Sequence, residues 1–181
     1  MPTTYVLGLG NVLMSDDGWG PAVLRAFEEQ YVVGPGVEVI DLGTPGLDLS
    51  PWLADAERVI LIDTVSARLP PGSIRLYKKA DLLRHAPGVR ASPHDPGVKE
   101  TLLALEFAGR APRDVELIGV VPAVTTMGLD LTPVVEAAVP AAVQALVAAL
   151  ERFGVQVRQR SVPLALGPRW SAGPKIPALQ G

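Results

Sequence analysis

The chain has 181 residues, of which 48% are hydrophobic and 19% are charged, a balance typical of a globular domain with a substantial core. Its formal net charge of −3 argues against a nucleic-acid-binding surface, which would be basic. The sequence contains no cysteine, which excludes disulfide bonds, thiolate metal sites and cysteine nucleophiles.

Strand patterns and helix patterns alternate along the chain. Short apolar or β-branched runs predict strands, and apolar residues repeated three and four apart predict helices. In chain order the predicted elements are a strand at 4–9, a helix at 18–31, a strand at 37–42, a short helix at 47–54, strands at 58–63 and 73–78, a helix at 96–109, a strand at 115–121 and a helix at 132–152.

This order predicts a three-layer α/β/α fold, hydrolase-like, around a twisted, mostly parallel sheet of about five strands. The run 58–63 is uninterrupted and β-branched, which indicates a strand covered on both faces. Residues 73–78 alternate apolar and polar side chains after a turn too short for a helical crossover, so this strand is predicted to be antiparallel. Residues 1–154 would form one domain, and the basic, Pro- and Gly-rich residues 155–181 a weakly ordered tail.

The stretch between the first predicted strand and helix carries the first candidate site. Gly8 and Gly10 are present, but Leu13 stands where a dinucleotide-binding fingerprint needs its third glycine. The adjacent carboxylates Asp16 and Asp17 also put negative charge where such a motif would hold phosphate. A nucleotide-binding module is therefore disfavoured. A cation site, or a helix cap formed by one of the two carboxylates, fits the residues better.

Three titratable residues occupy comparable places in the predicted fold. Asp17 follows the first strand, Asp63 ends the third, and His94 precedes a helix. Ligands of open α/β sheets bind at the carboxyl ends of the strands. Two carboxylates and a neutral imidazole form a donor set suited to Ni, Zn, Mn or Cd. A structural alternative for His94 is a loop imidazole bonded to a neighbouring carbonyl.

Several motifs stand in a fixed order over residues 4–154. Taken together, they resemble those of the hydrogenase maturation endopeptidases, which trim the large subunit of NiFe hydrogenases. The motifs are Gly8-x-Gly10-Asn11-x-Leu13-x-x-Asp16-Asp17-Gly18-x-Gly20, Asp41-x-Gly43-Thr44-x-Gly46, Ile62-Asp63, Ser92-Pro93-His94, Leu117-Ile118-Gly119-Val120-Val121-Pro122 and Gly128-Leu129-x-Leu131-Thr132-Pro133.

The resemblance implies a metal-assisted, aspartic-type peptide hydrolase whose site residues Asp17, Asp63 and His94 bind the metal. That metal would be nickel carried by the substrate, and the same site would accept Zn or Cd in a crystal. Some family members have Glu at the position of Asp17, and many have Gln at the position of Asp95. Asp16 would then cap the helix or support the site.

The expected partner is the large-subunit precursor of a NiFe hydrogenase, processed after nickel insertion. Residues 1–4 lack the basic region of a signal peptide, and no uninterrupted stretch reaches the ~20 apolar residues of a membrane span. We therefore expect a cytoplasmic monomer that binds neither nucleic acid nor membrane. The alternative reading is a non-proteolytic, nickel-dependent chaperone or assembly factor, which would use the same three ligands and bind the precursor without cutting it.

Overall fold

The computed structural model describes residues 4–44, 49–84 and 97–167. Strands and helices alternate along them as the sequence predicts. The elements are β1 (Thr4–Leu9), a 3-10 turn (Ser15–Gly18), α1 (Trp19–Gln30), β2 (Tyr31–Val33), β3 (Val37–Gly43), α2 (Ser50–Leu53), β4 (Arg58–Thr64), β5 (Ile74–Lys78), α3 (Lys79–Arg84), α4 (Val98–Phe107), β6 (Asp114–Val120), α5 (Pro133–Glu136), α6 (Val139–Arg152) and β7 (Val157–Gln159).

A five-stranded sheet in the order β3-β1-β4-β6-β5 forms the centre of the fold. The first four strands are parallel, and β5 pairs with β6 in the antiparallel direction. The predicted three-layer α/β fold with one antiparallel strand is therefore confirmed. Because β1, β3, β4 and β6 run the same way, their carboxyl ends lie along one edge of the sheet, where ligands of such folds bind.

Each face of the sheet carries its own hydrophobic core. Ile60 and Ile62 of β4 pack with Trp19 of α1 and with α6, whereas Leu61 faces the opposite side and packs with Leu102 of α4. All five side chains are fully buried. This alternation explains why the strand reads as one continuous apolar run in the sequence.

Two helices replace the single helix predicted at 132–152. The helix is interrupted between α5 and α6. Pro140 lies in the first turn of α6, where a missing N–H is tolerated. By length and composition, residues Pro133–Arg152 are apolar enough to cross a membrane. In the fold, however, Val143, Leu146 and Leu150 are buried against α1 and the sheet, which is the packing of a core helix.

The segment after α6, which the sequence predicts to be part of a weakly ordered tail, contains a short strand. Residues 155–167 are held in place, because β7 pairs antiparallel with β2. The backbone N–H of Arg160 donates to the carbonyl of Gln30 at 2.7 Å, and that of Leu164 donates to the carbonyl of Glu29 at 2.8 Å. β2 lies outside the central sheet and provides the edge to which β7 adds. Residues 168–181 lie outside the described part of the chain.

Candidate active site

Two glycines bring the first turn of α1 against the ends of β1 and β4. A Cβ atom on Gly20 would lie 2.2 Å from the carbonyl oxygen of Leu9 and 2.6 Å from that of Ile62. Gly10 has φ of +127°, and a Cβ there would lie 1.8 Å from the carbonyl oxygen of Asp17. Only glycine permits such close approach. As a result, Asp17 lies directly at the carboxyl edge of the sheet.

Asp17 is half-buried and is oriented by two hydrogen bonds. Its Oδ2 accepts from the backbone N–H of Asn11 at 3.0 Å. Its Oδ1 accepts from the hydroxyl of Thr64, the last residue of β4, at 3.3 Å. The carboxylate of Asp17 is thereby directed from the end of β1 towards the end of β4.

Asp63 lies beside Asp17 and is only 3% exposed. Its Oδ1 accepts the backbone N–H of Thr64 at 2.7 Å. Burial raises the pKa of Asp63 to about 8, and the charge of Asp17 acts in the same direction, while the hydrogen bonds from Thr64 oppose it. Asp17 and Asp63 thus place two oxygen-donor groups side by side, and a cation bound between them would favour the ionised form of Asp63.

Thr64 is the site residue that the sequence analysis missed. Its backbone N–H donates to Asp63 and its hydroxyl donates to Asp17, so it links the two predicted ligands. The one available signal was its position, directly after the Asp that ends the most strongly predicted strand. Such a hydroxyl is common in buried strands, and the sequence alone did not distinguish it.

Asp16 does not cap a helix. The 3-10 turn and α1 begin after Met14 and Gly18 respectively, and neither has a side-chain cap. The carboxylate of Asp16 is instead fully buried and points towards the segment between β6 and α5. The two adjacent aspartates therefore have different surroundings. Of the two roles predicted for Asp16, the helix cap is wrong, and the contacts of its carboxylate are tertiary.

Four donor groups surround the Asp16 carboxylate. Its Oδ2 accepts the backbone N–H groups of Ala123 at 2.8 Å and Val124 at 2.9 Å. Its Oδ1 accepts the backbone N–H of Thr132 at 2.7 Å and the hydroxyl of Thr132 at 3.0 Å. Burial by itself raises the pKa of Asp16, but the hydrogen bonds outweigh it and the resulting pKa is below its ordinary value. Asp16 thus fastens residues 123–132 to the turn that carries Asp17.

A third carboxylate, Asp41, lies at the end of β3. Its Oδ1 accepts the backbone N–H of Gly43 at 2.9 Å, and the carbonyl of Gly43 accepts the N–H of Gly10 at 2.8 Å. Burial raises the pKa of Asp41. These bonds join the motif at the end of β3 to the glycine turn after β1.

His94 and Asp95 lie outside the described residues. In the described segments, no three side chains of His, Cys, Asp or Glu form a group that could hold a metal ion. The structure therefore brings together two of the three predicted ligands, Asp17 and Asp63. The third, His94, stays a prediction.

A family model described as hydrogenase maturation protease matches residues 21–149. The chain belongs to this family. Its α/β architecture is the fold of these proteases, and its activity class is that of a maturation endopeptidase.

Individual relatives cover nearly the whole chain. It is 33% identical over 159 residues to the hydrogenase 2 maturation protease of Escherichia coli K12, spanning 86% of this chain and 94% of that protein. It is 34% identical over 172 residues to the hydrogenase expression/formation protein HupD of Bradyrhizobium diazoefficiens, with 91% and 90% covered. Because both proteins are matched over most of their length, the likeness extends across the domain.

A solved structure shows the same fold. The hydrogenase maturating endopeptidase HybD from E. coli superposes with a TM-score of 0.80 at 33% identity, covering 88% of this chain and 98% of that one. The NiFe hydrogenase maturation protease HybD from Thermococcus kodakarensis gives a TM-score of 0.61 at 26% identity, covering 81% and 98%.

Proposed function

We propose that this endopeptidase removes the C-terminal extension of a NiFe-hydrogenase large-subunit precursor after nickel insertion. The nickel carried by the substrate would be recognised by Asp17, Asp63 and His94. The observation that supports this most directly is the pair of carboxylates joined through Thr64 at the carboxyl edge of the sheet. The relatives support the substrate class, because they are hydrogenase maturation proteases.

The carboxylate pair suits a substrate that brings its own cation. Two oxygen donors and one imidazole leave coordination positions open for ligands from the precursor. Binding the nickel of the precursor would place the adjacent peptide bond beside Asp17 and Asp63. A carboxylate in that position accepts a proton from the attacking water, and a cation polarises the scissile carbonyl. Water adds across the peptide bond, which releases the extension with a new amino terminus.

Cleavage of precursors that differ only in nickel content tests the proposal. Nickel-loaded and nickel-free large-subunit precursors are incubated with the purified enzyme, and the subunit mass is followed by mass spectrometry. We expect a shortened subunit from the loaded precursor alone. Equal cleavage of the nickel-free precursor contradicts recognition through the metal. A stable complex without cleavage would favour the assembly-factor reading instead.

The proposal also covers the state of the free enzyme. We propose a cytoplasmic monomer that retains little nickel after purification, because the ion arrives with the precursor. The same donor set would take Zn or Cd from a crystallisation medium. Light scattering of the purified protein tests whether it is a monomer, and cell fractionation tests whether it is cytoplasmic. Metal analysis tests its nickel content.

A further inference from the structure

Four large apolar side chains are exposed on neighbouring loops at the carboxyl edge of the sheet. They form what we call the apolar platform, consisting of Leu13 (52% exposed), Val124 (41%), Met127 (88%) and Leu129 (52%). A parallel bridge between Met14 and Gly128 holds the two loops side by side. By its register, Leu13 and Met127 occupy adjacent positions on the bridged loops.

Hydrogen bonds hold the two loops of the platform in place. The N–H of Gly128 donates to the carbonyl of Leu13 at 3.0 Å, and the hydroxyl of Ser15 donates to the carbonyl of Thr126 at 2.9 Å. The buried carboxylate of Asp16 holds the start of the same segment through Ala123 and Val124. Exposed apolar side chains contribute little to folding, because the hydrophobic free energy depends on the area removed from water. Their ordered display is instead typical of a binding surface.

The platform is continuous with the candidate active site. The N–H of Leu13 donates to Oδ1 of Asn11 at 2.9 Å, and the N–H of Asn11 donates to Oδ2 of Asp17 at 3.0 Å. No residue in 11–14 or 122–129 is charged, and the charges that follow these segments in the chain are the buried Asp16 and the exposed Asp130. A surface of this kind complements an uncharged, apolar segment, because a charged group placed on it would lose water without gaining a partner.

We propose that the apolar platform binds an uncharged, apolar stretch of the large-subunit precursor, so that the adjoining backbone is presented to Asp17. This inference rests on the proposed function and adds a recognition surface that does not involve the metal. The platform acts on binding of the precursor, and the carboxylate pair acts on the peptide bond. The two contributions can therefore be separated kinetically.

A double substitution, Leu13→Ser with Met127→Ser, tests the platform in the full-length enzyme. The matched control is Leu76→Ser with Phe107→Ser, since these residues are 57% and 97% exposed and lie on β5 and at the end of α4. With nickel-loaded precursor, we expect the platform variant to raise KM about tenfold. Its kcat should stay within about twofold of the wild type. The control should leave both constants unchanged, and both variants should melt like the wild type.

Several results overturn the inference. One is an unchanged KM in the platform variant, and another is an equal rise in the control. A second double variant, Trp170→Ser with Ile176→Ser, tests whether the C-terminal residues occupy the surface. They do so if this variant has a lower KM than the wild type and if adding the platform substitutions to it no longer changes KM. If the wild type self-associates and the platform variant does not, a second copy occupies it. Failure of the wild type to cleave nickel-loaded precursor contradicts the proposed function, which is a separate outcome.

Discussion

The Asp16 carboxylate and Thr132 are 116 positions apart in the chain, yet Asp16 accepts hydrogen bonds from both the backbone N–H and the hydroxyl of Thr132, at 2.7 and 3.0 Å. This contact ties the turn before α1 to the residue before α5. The carboxylate of Asp16 is fully buried. Removing it would therefore leave hydrogen-bond donors without partners inside the protein.

Asp16→Asn should therefore destabilise the protein, although Asn caps helices about as well as Asp. The amide nitrogen would face N–H donors on one side of the buried site, and a buried unsatisfied group costs about 1–3 kcal/mol. Urea unfolding measures the loss. Asp17→Asn is the matched control, because Asp17 is half-buried and an amide can keep both contacts. Its oxygen can accept the N–H of Asn11, and its NH2 group can donate to the hydroxyl oxygen of Thr64. Equal destabilisation by both substitutions would show that Asp16 has no special structural role.

The carboxylate pair should be required for cleavage and dispensable for folding. We expect Asp17→Asn and Asp63→Asn each to abolish processing of nickel-loaded precursor, because a neutral amide is a poor cation ligand. Both variants should melt close to the wild type, because Asp17 is half-buried and Asp63, whose pKa is raised to about 8, is mostly protonated at neutral pH, so that Asp63→Asn removes little charge. Asp114→Asn is the control. Asp114 lies at the start of β6 and forms an exposed ion pair with Arg113, so this variant should process the precursor normally. Retained activity in either site variant would remove that residue from the site.

His94→Ala should also abolish processing, as the predicted third ligand. The chain has two histidines, so His85→Ala is the natural control and should cleave at the wild-type rate. Calorimetric titration of each variant with Ni²⁺ gives a second readout. Weaker nickel binding is expected for His94→Ala alone. A normal processing rate in that variant would refute the ligand assignment.

Gly20→Ala should impair both stability and activity. The added Cβ would meet two backbone carbonyls that cannot move independently of β1 and β4. Overpacking of this kind typically costs 1–3 kcal/mol, and we expect about 3 kcal/mol here. Displacement of α1 would also shift Asp17. Gly34→Ala is the control, because its nearest neighbours lie 3.7 Å away in ordinary contact. Thermal melting and precursor cleavage, measured on both variants, check the prediction.

Asp41→Asn should raise stability at neutral pH. Burial raises the pKa of Asp41, so ionising this group in the folded protein opposes folding once the pH exceeds the ordinary Asp value of about 3.9. The amide oxygen can still accept the N–H of Gly43. The gain over the wild type should be largest at neutral pH, shrink as the pH falls and vanish below the ordinary pKa.

The control for Asp41 has the opposite sign. A hydrogen bond from Arg110 lowers the pKa of Asp55, so the ionised form favours folding above the ordinary value. Asp55→Asn should therefore reduce stability at neutral pH and match the wild type in acid. Urea midpoints measured at several pH values distinguish the two variants. If both substitutions changed the free energy of unfolding in the same direction at neutral pH, this would contradict the raised pKa of Asp41.

The architecture was predictable because its signals are local. The apolar run of β4 and the alternation in β5 each appear within a few residues, and they correctly indicated a central strand and an antiparallel edge. The proximity of Asp17 and Asp63 was predictable from their places after the carboxyl ends of two parallel strands. The role of Asp16 and the position of β7 were not predictable, because both depend on partners more than 100 residues away. The hydroxyl link from Thr64 depends on side-chain directions that no periodicity encodes.

The sheet order also determines when the enzyme becomes competent during its synthesis. β4 obtains its second neighbour only after β6 has been made, and the donors for Asp16 follow later still, ending with Thr132. A ribosome-bound chain that stops before residue 123 has both Asp17 and Asp63 but lacks the partners of Asp16. Such distant pairings form slowly. The nascent chain therefore carries Asp17 and Asp63 well before Ala123, Val124 and Thr132 complete the surroundings of Asp16.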